Sequence, residues 1–150
     1  MSRFSTLLLI TLATISLSSC ALRSMQLVAN NHLQRLSFTT PANTNQGAAT
    51  AIDVVLINDT KVIGEMPKSS AAWFSQKDAL LRQYSFGMVS IEMAPLTTLK
   101  AVKLPQDSAD AIAIVVYVNM LTDQPIIRIP ASEECVNIRL TEHRIQYETC

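Results

Sequence analysis

Two short runs of the 150-residue chain are apolar on both of their alternating faces, Ala51–Ile57 (AIDVVLI) and Ala111–Met120 (AIAIVVYVNM). Neither approaches the roughly 20 apolar residues that a membrane-spanning helix needs. Both are rich in β-branched residues, which suit a pleated, closely packed surface. A strand that is apolar on both sides must be covered on both sides. The two runs therefore predict buried strands, Ala111–Met120 as a central one. Asp53 is the exception in the first run: it faces solvent or bonds a neighbouring loop, unless its side chain faces the core.

Shorter alternating segments surround this pair. Leu33–Thr39 sets Leu36 and Phe38 against Ser37 and Thr39. Gly87–Ala94 sets Val89, Ile91 and Met93 against Met88, Ser90 and Glu92, and Pro95 ends it. Thr97–Leu104 alternates imperfectly and reads as an edge. Ile126–Ile129 lies between Pro125 and Pro130, which also confines it to an edge. Pro41–Thr50 (PANTNQGAAT) reads as a loop, Asn58–Thr60 as a turn, and Lys61–Pro67 as irregular. One helix is expected over Ala71–Tyr84, capped by Ser69 or Ser70. Trp73, Phe74, Leu80, Leu81 and Tyr84 form its apolar side and cover the core.

The last sixteen residues predict a hairpin. Val136, Ile138 and Leu140 alternate outward from Cys135, and Ile145 and Tyr147 follow after Thr141–Arg144. A four-residue connection pairs Leu140 with Ile145 and Ile138 with Tyr147. It also sets Cys135 opposite Cys150, at a separation that suits a disulfide. A shift of two residues would leave the cysteines diagonal and unpaired. In total the pattern predicts a mainly β chain, a sandwich of about seven strands with one short helix.

The N-terminus reads as an address. Arg3 is followed by the apolar run Leu7–Leu17 and then Leu17-Ser18-Ser19-Cys20. A charged start, a short apolar stretch and small residues at the cut form a signal peptide. The Leu-Ser-Ser-Cys ending resembles the bacterial lipobox, which implies cleavage before Cys20 and diacylglycerol on its sulfur. Several acyl chains would hold where one alone binds weakly. Ala21 resembles the outer-membrane sorting default. The expected organisation is a lipoprotein signal peptide over 1–19, a lipidated tether over 20–32 and a β-sandwich domain over 33–150, lipid-anchored at the outer membrane and facing the periplasm. An oxidising periplasm permits the hairpin disulfide.

Composition narrows the function. Twelve basic residues balance twelve acidic ones, so the basic excess needed to neutralise phosphates in nucleic-acid binding is missing. Gly47, Gly64 and Gly87 stand alone, with no phosphate-binding loop. Two histidines and three cysteines sit at no metal-ligand spacing, so no metal or other cofactor is expected beyond the lipid on Cys20. His32 falls in the tether and His143 in the hairpin turn, with no nucleophile elbow to join. Glu133 and Glu134 are neighbours that a strand would point apart. No catalytic residue and no small-molecule substrate are expected.

The element order resembles TssJ, the outer-membrane lipoprotein of type VI secretion systems. The matching stretches are Leu36–Thr39, Asn43–Gly47, Ile52–Ile57, Trp73–Leu81, Val89–Pro95 and Ala111–Tyr117, with the final hairpin. Two departures stand out: Pro95-Leu96 replaces the family's usual Pro-Gly, and the Cys135/Cys150 pair is not a general family feature. The resemblance implies a transthyretin-like sandwich that binds the periplasmic part of TssM, an inner-membrane protein. It implies contact through the loop after the first strand, here Asn43, Thr44, Asn45 and Gln46. A pilotin that escorts a secretin, or a regulator of a cell-wall synthase, is the alternative binding module; an enzyme with a shallow periplasmic site is a third reading.

Overall fold

The computed structural model describes residues 31–122 and 126–150. The signal peptide, Cys20 and most of the expected tether lie outside the described residues. Among the described residues eight strands form two four-stranded sheets. The outer sheet has the order β4-β1-β7-β8, from β4 (Thr97–Leu99), β1 (Arg35–Thr40), β7 (Cys135–Leu140) and β8 (Ile145–Thr149). The inner sheet has the order β3-β2-β5-β6, from β3 (Gly87–Met93), β2 (Thr50–Ile57), β5 (Ala113–Asn119) and β6 (Ile127–Ile129). Pairing is antiparallel except between β1 and β7, which run parallel.

The two doubly apolar runs are the central strands β2 and β5, and the register explains their composition. Ile52, Val54 and Leu56 of β2, with Ile114, Val116 and Val118 of β5, meet Leu36, Phe38, Val136, Ile138 and Leu140 of the outer sheet in the inter-sheet core. Val55 and Ile57, with Val115 and Tyr117, point the other way and meet a second core beneath the helix. The inner sheet is thus filled on both faces, so its central strands carry no polar face. The outer sheet is covered on one side only, and its strands alternate.

The helix spans Ser70–Gln83 (α2), one residue earlier than expected, with Ser69 Oγ capping it by accepting from Ala72 N at 3.2 Å. The neighbouring Ser70 Oγ is buried and accepts from Val118 N at 3.1 Å, tying the helix start to β5. Its inward stripe is Trp73, Lys77, Leu80 and Tyr84; Leu81, expected on the buried side, falls off that stripe and is exposed. The segment Thr60–Ile63 forms one helical turn (α1) rather than an irregular stretch, because Asp59 accepts from Lys61 N at 2.9 Å and caps it.

Two further expectations are corrected. The strand expected over Thr97–Leu104 stops at Leu99: the chain bends at Lys100, and Val102 N donates to Leu36 O at 2.8 Å. Val102 is thereby buried. Asn31 and His32, expected in the tether, are bound to the body: Asn31 N donates to Ala109 O at 3.0 Å and His32 N to Ala131 O at 2.9 Å. Among the described residues no helix is long and apolar enough to cross a membrane.

Candidate functional site

Strand direction sorts the connections into two ends. Asn31–Leu33, the 100–112 segment, the 130–134 turn and Cys150 share the N-terminal end. The β1–β2 loop (41–49), the β3–β4 turn (94–96), the start of the β5–β6 connection (120–122) and the β7–β8 turn (141–144) share the other, the loop end. The eight residues of β2 separate the ends by about 25 Å at the usual strand rise.

At the loop end, buried polar side chains bond to backbone atoms of neighbouring connections. Thr44 Oγ1 donates to Leu140 O at 2.7 Å. Asn45 Oδ1 accepts from Leu121 N at 2.7 Å, and its Nδ2 donates to Ala49 O at 3.1 Å. Thr40 Oγ1 donates to Ala94 O at 2.7 Å and accepts from Thr97 N at 3.0 Å. Each bond satisfies a backbone group that would otherwise compete for water, so the β1–β2 loop is fixed to the end of β7 and to the β5–β6 connection, and the β3–β4 turn to the end of β1. The loop itself is strained: Asn45, Gln46 and Gly47 have φ of 50°, 56° and 81°. Asn and Gly tolerate that region; Gln does not ordinarily visit it.

The expected contact set therefore divides. Thr44 and Asn45 are buried and serve as internal ties. Asn43 and Gln46 are exposed, and Asn43 Nδ2 donates to Glu142 Oε2 at 3.1 Å across to the hairpin turn. Two residues outside the expected contact set stand at this end. Leu96 is 80 % exposed and Leu121 is 66 % exposed, the most exposed large apolar side chains among the described residues. They stand on opposite sides of the β1–β2 loop in strand order. Leu96 has φ 59°, the left-handed region that favours glycine. A signal for it was in the sequence: leucine replaces the glycine that the resemblance leads one to expect after Pro95.

Asp53, the odd acid of β2, is buried at 2 % exposure on the helix-facing side. Its Oδ2 accepts from Trp73 Nε1 and from Lys77 Nζ, both at 2.8 Å, and its Oδ1 accepts from Ser90 Oγ at 2.5 Å. Trp73 itself is fully buried, stacked on Tyr117 with ring centroids 4.6 Å apart. The constellation pins the helix to the sheet. Tyr117 Oη donates to Pro67 O at 3.0 Å, and burial pushes the phenol up to about 12, with Arg128 acting more weakly the other way.

The remaining candidates stay apart. His143 faces Glu142 at 3.5 Å in the hairpin turn, while His32 lies at the opposite end. Glu133 and Glu134 stand in the turn before β7. No cluster of three or more metal-ligating side chains occurs among the described residues. The hairpin register pairs Ile138 with Tyr147 and Leu140 with Ile145. The Cys135 and Cys150 sulfurs are joined, with Cα atoms 5.4 Å apart, at the N-terminal end of the outer sheet.

This architecture, two four-stranded sheets with a helix over one of them and a polarised loop end, is the fold of the TssJ-type secretion lipoproteins. The TssJ1 lipoprotein of the Pseudomonas aeruginosa type VI secretion system superposes with a TM-score of 0.56 at 11 % identity, over 77 % of this chain and 93 % of that one. A chain of a type VI membrane complex gives 0.61 at 12 % identity, over 76 % and 95 %. Serratia marcescens Lip, a membrane-bound component of the same kind of system, gives 0.58 at 14 %, over 77 % and 94 %. No protein-family model and no curated protein matches the sequence.

Proposed function

We propose that the chain is a non-enzymatic lipoprotein of a type VI secretion membrane complex, anchored through Cys20 at the periplasmic face of the outer membrane, and that its loop end docks on a TssM-like periplasmic domain. The observation that carries this reading is the polarity of the fold. The described chain begins at one end of the sandwich, and the strained loop and the two most exposed leucines stand about 25 Å away at the other. A tether at the first end leaves the second free to meet a partner, and lipid confinement raises the local concentration of the pair. Exposed apolar side chains on a fixed backbone suit an interface, because little ordering entropy remains to be lost on docking.

Copurification of the chain with the periplasmic segment of a TssM-like protein tests the proposal. The wild type captures the segment. Leu96→Asp and Leu121→Asp, which place a charge in the proposed interface, reduce capture at least tenfold while far-UV circular dichroism stays unchanged. Capture that is absent for the wild type, or unaffected in both variants, refutes it.

A further inference from the structure

Alternation along the outer sheet turns its apolar residues to the core and leaves Arg35, Ser37, Asn137 and Arg139 on its outer face. Lys100, at the bend just after Leu99, lines the same face with Ser37. These residues line a hollow of about 450 Å³, with Glu148 on one rim. The chain as a whole is neutral, yet this hollow gathers three cations and one acid. Among the described residues none of the three cations has a carboxylate within 4 Å. Four residue steps of β1 separate Arg35 from Thr39, which is paired with Arg139 on the neighbouring strand; the two guanidinium stems therefore start about 14 Å apart, within joint reach of one small ligand.

The neutral groups add donors. Ser37 Oγ donates to Asn137 Oδ1, which leaves the Asn137 amide nitrogen as a donor. The hydroxyls of Thr39 and Thr98 line the same hollow. Glu148 is paired with Asn137 on the far side from Lys100, so the excess of positive charge falls over β1, between β4 and β7. Donors stand on both sides of that position. A planar carboxylate presents its two oxygens in one direction and satisfies one side. A tetrahedral phosphate presents oxygens to both, and guanidinium forks match its edges.

We infer that the outer face of this sheet is a phosphate-binding site, distinct from the loop end and independent of the proposed docking role. Lys100, Asn137 and Arg139 hold the phosphate across β1, and Arg35 meets a second charge or the ester substituent. The volume exceeds that of a lone phosphate ion, so both a free phosphate and a phospholipid headgroup fit.

Amide NMR of the purified protein, titrated at constant ionic strength with inorganic phosphate and, separately, with dihexanoylphosphatidylglycerol below its micelle concentration, tests the inference. Saturable shifts are expected at residues 35–39, 98–100 and 137–139. Lys100→Gln and Arg139→Gln, both at exposed positions, each weaken binding about tenfold, the loss of a charge-assisted hydrogen bond. Tighter binding of the phosphatidylglycerol assigns the site to a lipid headgroup; equal binding assigns it to a free phosphate. Shifts that never saturate, that lie elsewhere, or that persist in the Lys100→Gln/Arg139→Gln double variant overturn the proposal.

Discussion

Removing the Asp53 carboxylate is the sharpest test of how the helix is held. In Asp53→Ala, Lys77 and Ser90 lose an acceptor, and the Trp73 indole N–H is left in a fully buried position with none. An unpartnered buried donor costs about 1–3 kcal/mol, and breaking a buried ion pair by removing one member costs about 3–5 kcal/mol. The Lys77 side chain is 25 % exposed, so its ammonium swings toward water and recovers part of the loss. The expected destabilisation is therefore about 3 kcal/mol, a large share of the roughly 5–15 kcal/mol that holds a domain together. Trp73 is the chain's one tryptophan and stacks on Tyr117, so urea unfolding followed by its fluorescence reads the change directly. In Asp53→Leu/Lys77→Met both charges leave together and only the Trp73 indole is left without its acceptor, so the loss is expected to fall below that of the single variant, to about 1–2 kcal/mol. A loss below about 1 kcal/mol in Asp53→Ala, or a double variant as unstable as the single one, refutes the reasoning.

Three other outcomes follow from the structure, and a fourth from the proposed lipid anchor. The Tyr117 phenol is pushed from 10 up to about 12 in the folded state, so the native state keeps a proton that the unfolded chain releases. Its contribution is complete below pH 10 and is lost as the pH rises toward 12, about 2–3 kcal/mol in all, and Tyr117→Phe abolishes that slope in unfolding measured against pH. The Cys135–Cys150 bridge closes a sequence separation of 15, so reduction lowers unfolding stability by about 3 kcal/mol; identical curves with and without reductant contradict this. Leu96→Gly relieves a left-handed leucine and leaves stability equal or higher by up to about 1 kcal/mol while weakening partner capture, whereas a plain loss of stability shows that the leucine serves the fold. Cys20→Ser moves the protein from the membrane fraction to the soluble fraction, and an unchanged fractionation defeats the lipid anchor.

The legible part of the fold was the part dictated by periodicity. Leu36 and Phe38, Val136 to Leu140, and the two doubly apolar runs announce their faces because strand side chains alternate strictly. The hairpin register was readable because its connection is short, which leaves few pairings. Lys77 was not readable as a half-buried member of the helix's inward stripe. It occupies the helix stripe because Asp53 lies beneath it, and the two are 24 positions apart. The bend at Lys100 was equally hidden, since it depends on Leu36 O being available to Val102. In the loop, residue types signalled a turn, but only the packing of the connections separates buried Thr44 and Asn45 from exposed Asn43 and Gln46.

By itself the sequence determined which segments are strands, which face of each is apolar, and that two of them need cover on both sides, because those properties are local and repeat every second residue. The tertiary structure alone decided which strands became neighbours, which polar side chains tie the loop end together, and which cations share one face. Those outcomes depend on contacts between residues far apart in the chain, such as Thr44 with Leu140 and Thr39 with Arg139. No local pattern records such contacts.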